Sequence, residues 1–191
     1  MEKNQIRRII EIAIFAALAL IFDLIIPSFG HGFKISFKMV PIILLALRWG
    51  VGSGLMGGFL WGILQILVGD AYILSLPQVL IEYVFAFAAI GFAGLMFKPM
   101  QKALRQKDLS FGKIGLYATL AALMGSFIRY IFHFIAGIVF WGEYAEGISP
   151  VLNSLIVNGG AFLSETITCI VVLWLLVPAA KTLFLNKDIS I

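Results

Sequence analysis

Apolar residues fall into six blocks along the chain, separated by short polar or charged segments. The blocks cover residues 9–26, 35–47, 51–68, 73–97, 114–141 and 151–177. A membrane-spanning helix needs about 20 mostly apolar residues. The pattern therefore predicts an all-α membrane protein, a bundle of six transmembrane helices. The second block is short and contains Pro41, which lacks a backbone donor. A broken or partly re-entrant helix surrounded by protein is expected there. The first block follows a basic stretch, as in a signal peptide, yet it ends DLIIPSFG with no small-residue cleavage site. It is expected to stay as the first helix. No polar segment is long enough to fold separately, so residues 1–191 are expected to form a single integral membrane domain.

Charge sets the orientation. Lys3, Arg7, Arg8, Arg48, Lys98, Lys102, Arg105, Lys107, Lys113, Lys181 and Lys187 fall on one side of this map, eleven of fourteen basic residues. The other side holds Lys34 and Lys38 with Asp70, Glu143 and Glu146. The positive-inside rule then puts both termini in the cytoplasm, with the chain multi-pass in the cell membrane. The net charge of +4 is mostly this topology signal. Its basic residues are spread over short loops, which argues against nucleic acid as a partner. Composition agrees: 61% of residues are hydrophobic and 13% charged, against about 45–50% and about 25% in soluble domains. Cys169 is the single cysteine, so no internal disulfide forms.

Small residues mark packing faces. Gly50, Gly54, Gly58 and Gly62 recur every four residues in the third block. Such a ridge lets a neighbouring backbone approach closely. Ala13 and Ala17 share one face of the first helix. That face either packs inside the bundle or docks a separate membrane subunit.

Candidate chemistry lies in the polar residues inside the blocks. Each costs free energy in lipid and usually faces the bundle interior, a cavity or a partner. Glu82 and Tyr83 sit in the fourth block. Glu82 either pairs with Arg129 or faces a pocket, where it holds a cation or accepts from an amino group. Glu165 in LSETIT is the other candidate partner of Arg129. Arg129, His133, Gly137 and Trp141 are spaced by four in RYIFHFIAGIVFWGEY, which on a helix forms one slowly drifting stripe. Gly137 leaves room between His133 and Trp141 for a flat ring. Asn158 enters the membrane in the sixth block and needs a polar partner. Tyr72 and Tyr144 join these residues in the outer half. The inventory of carboxylate, aromatic faces and amide suits a small, flat, cationic or amine-bearing ring, because aromatic faces attract cations by about 0.5–2 kcal/mol.

Several classes find no support. The chain has no G-x-x-x-x-G-K-[ST] loop for ATP. Gly52-Ser53-Gly54 is not a G-x-S-x-G elbow, and no His/Cys set fits a metal site. No catalytic residue, metal or cofactor is expected, so the chain is read as a transport component and not an enzyme.

EIAIFAALALIFDL, the glycine-rich third block, IEYVFAFAAIGFAGL and RYIFHFIAGIVFWGEYA resemble the thiamine-specific substrate-binding (S) component of energy-coupling factor (ECF) vitamin transporters. The resemblance spans nearly the whole chain. It implies a six-helix bundle with a pocket open to the outside, capped by the loop between the first two helices. It implies thiamine contacts from Tyr72, Glu82, Tyr83, His133, Gly137, Trp141 and Asn158, with the tryptophan stacked on a ligand ring. Asn153 or Ser154 stands where the family often has an aromatic residue. In the capping loop SFGHGFKISF the family's tryptophan is missing, and Phe33 or His31 stands in its place. The Ala13 and Ala17 face resembles the docking surface for a transmembrane coupling subunit. ATP hydrolysis would belong to two separate ATPase subunits. The competing readings are an S component for another vitamin and a self-contained proton-coupled carrier using Glu82, Arg129 and Glu165.

Overall fold

The computed structural model describes residues 2–25 and 36–187. Those residues form six helical segments: α1 (Glu2–Ile25), α2 (Val40–Trp49), α3 (Val51–Leu67), α4 (Leu76–Leu104), α5 (Phe111–Val139) and α6 (Pro150–Leu183). The bundle agrees with the hydropathy pattern. Helices α4, α5 and α6 are long and apolar enough to cross a bilayer on their own account. Phe33 and His31, the capping-loop candidates, lie outside the described residues.

Helix α2 departs most from expectation. It starts at Val40, five residues later than the apolar block, and has ten residues, about 15 Å at 1.5 Å per residue. It does not break at Pro41. Proline sits in the first turn, where helix N–H groups have no intrahelical partner anyway. Every residue from Val40 to Arg48 is buried. This short helix is the centre of the bundle, packed by α1, α3 and α4. Gly50 then reverses the chain with φ +85°, a left-handed value that favours glycine.

The glycine ridge of α3 packs internally, against α4. A Cβ at Gly58 would run into the Phe87 carbonyl, and one at Gly62 into the Tyr83 carbonyl. The two helix backbones touch along this seam, which places the Glu82–Tyr83 stretch against α3.

Helix α4 is not uniform. Ser75 caps its start, accepting from Gln78 N at 3.3 Å. A π-helical turn runs Leu80–Phe85 and a 3-10 stretch Ile90–Met96. π-turns insert one extra residue and are frequent at functional sites. Here the turn carries Glu82 and Tyr83.

On the cytoplasmic side, polar groups close the bundle. Arg48 donates to Glu11 from Nε (2.7 Å) and Nη2 (3.2 Å). Its Nη1 reaches the carbonyls of Thr182, Leu183 and Leu185 at 3.3, 3.2 and 2.9 Å. Trp49 Nε1 also donates to Glu11, at 2.6 Å. Gln101 Nε2 donates to the carbonyls of Leu47 (3.0 Å) and Phe184 (2.7 Å). The last carbonyls of α2 and α6, orphaned by helix geometry, thus find donors.

Ala16 and Ala19 are fully buried against the bundle, whereas Ala13 and Ala17 are exposed on the outer side of α1.

Candidate functional site

Two adjoining cavities open in the outer half. One, about 270 Å³, is lined by Asp23, Lys38, Gln65, Asp70, Glu82, Tyr83, Phe87, Arg129, His133 and Trp141. The other, about 310 Å³, is lined by Glu82, Gly137, Trp141, Tyr144, Asn153, Ser154, Val157 and Asn158. Glu82 and Trp141 belong to both and form the wall between them.

That wall is one hydrogen-bonded unit. Trp141 Nε1 donates to Glu82 Oε1 at 2.9 Å, and the Gln78 amide donates to Glu82 Oε2. Gln78 is one helical turn before Glu82, and its amide also donates to the Tyr72 carbonyl at 3.0 Å. The Tyr83 hydroxyl accepts from Tyr72 N at 2.8 Å. These bonds tie the 70–75 connection to the start of α4. Three rings continue the wall: Tyr72 lies 5.2 Å and Tyr144 5.6 Å from the Trp141 ring, centroid to centroid, both tilted by 48°.

Trp141 reaches this position from outside the helix. Helix α5 ends at Val139, and Trp141 precedes the 3-10 turn Gly142–Tyr144. The expected four-residue stripe therefore holds on the helix for Arg129, His133 and Gly137 only. Gly137 is a point of helix contact: a Cβ there would collide with Ser154 Oγ and lie 2.8 Å from Asn158 Nδ2. Ser154 donates to the Phe134 carbonyl at 2.8 Å and accepts from Asn158 Nδ2 at 3.0 Å. Asn158 thus has the polar partner its depth requires. Asn153, half-buried in the first turn of α6, faces the same cavity.

The ion pairs differ from both sequence alternatives. Among the described residues, no hydrogen bond or ion pair joins Arg129 to Glu82 or Glu165. Glu165 instead pairs with Lys38 at 3.3 Å, and Lys38 also pairs with Asp23 at 3.0 Å. Asp23 in turn accepts from the Gln65 amide. Arg129, 3% exposed, lies among rings: its guanidinium carbon is 4.2 Å from the Phe87 centroid, 5.1 Å from Trp61 and 5.8 Å from Tyr130. Such contacts contribute up to about 2 kcal/mol when desolvated. Among the described residues its Nε and Nη1 have no hydrogen-bond partner, nor has His133 Nε2.

The structure brings Tyr72, Glu82, Tyr83, His133, Gly137, Trp141, Tyr144, Asn153 and Asn158 to the two cavities or their rim. Phe33 lies outside the described residues. Sequence reasoning missed Gln78 as a site residue, named Ser154 only as an alternative to Asn153, and read Lys38 and Asp70 only as topology markers. Gln78 had one legible signal, its i,i+4 spacing from Glu82. Chemically, the site offers an acceptor carboxylate, an aromatic wall, an amide and a resident cation deeper in.

Comparison with known proteins bears on this geometry. Residues 9–185 match the family described as thiamine transporter protein (Thia_YuaJ). The thiamine transporter ThiT of Lacticaseibacillus paracasei is 38% identical over 192 residues, 98% of this chain and 94% of that protein. The thiamine transporter ThiT of Bacillus subtilis is 38% identical over 186 residues, 95% of this chain and 96% of that protein. A solved structure of ThiT from Listeria monocytogenes superposes with a TM-score of 0.90 at 34% identity, covering 96% of this chain and 100% of that one.

Proposed function

The chain belongs to the thiamine transporter protein family, and from that premise we propose that its outer cavities capture thiamine as the S component of an ATP-driven ECF-type transporter. The observation that carries the reading is the Glu82–Trp141 pair on the wall common to both cavities. Thiamine is a permanent cation joined to an aminopyrimidine. Its rings need flat aromatic faces, and its amino group needs an acceptor. The Trp141 ring, flanked by Tyr72 and Tyr144, supplies the faces. Glu82 supplies the acceptor and the counter-charge, and Asn158 and Asn153 offer amides to ring nitrogens. Binding of this kind involves no proton transfer.

Energy must then come from elsewhere, since the chain has no phosphate-binding loop. We place the transmembrane coupling subunit on the exposed Ala13–Ala17 face of α1, with ATP hydrolysis in two further ATPase subunits. Small residues allow close backbone contact between helices in lipid. Ala17→Trp should abolish ATP-driven uptake in cells while leaving thiamine binding to the purified chain unchanged. Intact uptake would move the docking face elsewhere.

Binding itself is tested by titrating the purified chain with thiamine and following tryptophan fluorescence. A saturable quench is expected. A response to riboflavin or biotin, with none to thiamine, would reassign the ligand. Glu82→Gln should weaken thiamine binding by about 1.5–3 kcal/mol through loss of a charged hydrogen bond, roughly ten- to 150-fold.

A further inference from the structure

Helix α3 is short for a membrane span. Its 17 residues rise about 25 Å at 1.5 Å per residue, against a hydrocarbon core of about 30 Å. It starts at Val51, just after Arg48, on the cytoplasmic side. Its outer end at Leu67 therefore stops short of the outer boundary, and the connection to α4 begins within the bilayer. That connection, with the residues that flank it, reads LVGDAYILSL from Leu67 to Leu76. Leu67, Val68, Ile73 and Leu76 are 74%, 51%, 62% and 72% exposed. Apolar residues exposed singly need no explanation, but several gathered in one patch mark a contact with protein or membrane. The α5–α6 connection, also on the outer side, exposes two carboxylates, Glu143 and Glu146.

The backbone of the α3–α4 connection says that the contact is lipid. Non-helical backbone at membrane depth must find its hydrogen bonds within the protein, and here it does. Gly69 N and Asp70 N donate back to the carbonyls of Ile66 (3.2 Å) and Gln65 (3.1 Å). Tyr72 N donates to the Tyr83 hydroxyl, and Leu74 N donates to Gln78 Oε1 at 3.2 Å. The fully buried Gln78 returns its amide N–H to the Tyr72 carbonyl. Asp70, the one charged residue of the stretch, lines the 270 Å³ cavity. We propose that residues 67–76 dip into the outer leaflet, with Leu67, Val68, Ile73 and Leu76 among lipid acyl chains. Helix α1, which carries the coupling face, contributes nothing to this patch. The same segment holds Tyr72 5.2 Å from the Trp141 ring, so bilayer contact braces one side of the aromatic wall.

Depth in a bilayer is read directly by spin labels. The full chain carrying I73C, L76C or E146C is labelled with a nitroxide and reconstituted into liposomes of phosphatidylcholine and phosphatidylglycerol. Cys169, the chain's one native cysteine, is buried, and the wild-type chain serves as the blank. Power saturation then compares collisions with oxygen, which partitions into lipid, and with a water-soluble nickel chelate. Ile73 and Leu76 are two independent positions, so the test stands on whichever keeps the wild-type melting temperature. Labels at 73 and 76 should be relaxed more by oxygen than by the nickel chelate, and the label at 146 should show the opposite order. Nickel access at 73 or 76 equal to that at 146 would put the connection in water and overturn the proposal. Shielding of 73 and 76 from both reagents would put them under protein, from this chain or a second copy, and overturn it too. None of these readings depends on which ligand the cavities hold.

Discussion

The two ends of the bundle treat buried polar groups in opposite ways. At the cytoplasmic end, Arg48 makes five hydrogen bonds, to Glu11 and to three carbonyls of the α6 terminus. Gln101 and Asn186 complete that network: Gln101 Oε1 accepts from Asn186 N at 2.9 Å, and Asn186 Nδ2 donates to the Arg48 carbonyl at 3.1 Å. At the outer end, Arg129 is as deeply buried and, among the described residues, has two nitrogens without a partner. His133 Nε2, Gln65 Oε1 and Glu165 Oε2 likewise find no partner among those residues. Buried polar groups are normally satisfied, and those that are not demand an explanation. The inner network fastens helix ends. Of the outer groups, Gln65, Arg129 and His133 line a cavity.

The largest expected effect tests the inner end. Arg48→Met takes the donor away from the carbonyls of Thr182, Leu183 and Leu185, while Glu11 keeps Arg7 and Trp49. At about 1–3 kcal/mol for each buried group left unsatisfied, it should destabilise the chain by about 3–5 kcal/mol, read as thermal unfolding in detergent. A loss below about 1 kcal/mol would mean that the network is ornamental and the contrast empty.

A smaller effect is expected where the outer site is braced. Gly62→Ala forces α3 away from the Tyr83 carbonyl, an overpacking cost of about 1–3 kcal/mol. Because Tyr83 follows Glu82 directly, thiamine affinity should fall as well, measurable by titration. A stable variant with full affinity would show that the α3–α4 seam does not position the carboxylate.

The smallest effect on stability should come from Arg129→Met. It replaces a cation that has no ion pair among the described residues with an apolar chain among the rings of Trp61, Phe87 and Tyr130. Replacing a buried charge by a packed apolar side chain is often near neutral, so a change within about 1 kcal/mol is expected by the same unfolding assay. A loss matching Arg48→Met would erase the distinction between the two ends.

Much of the architecture was legible in the residues. Six apolar blocks became six helical segments, and the glycine ridge packed where its four-residue period required. Glu82, Trp141 and Asn158 stood out because polar groups in apolar blocks are costly. The boundaries were less legible. The second block looked like a broken helix, because a proline there could not be seen to fall in a first turn. Trp141 looked like the fourth member of a helical stripe, because nothing in its spacing says that α5 stops at Val139. The π-turn under Glu82 also had no signal in the apolar pattern.

Hydropathy and charge along the chain determined the class of protein, its helices and its orientation, because lipid allows few ways to satisfy a backbone. Which charges meet was decided by the tertiary structure alone. Lys38 took Asp23 from α1 and Glu165 from α6, so that Arg129 was left to aromatic rings. Coulomb attraction and desolvation act over a few ångströms between helices distant in sequence. That choice of neighbours is settled only once the helices are packed.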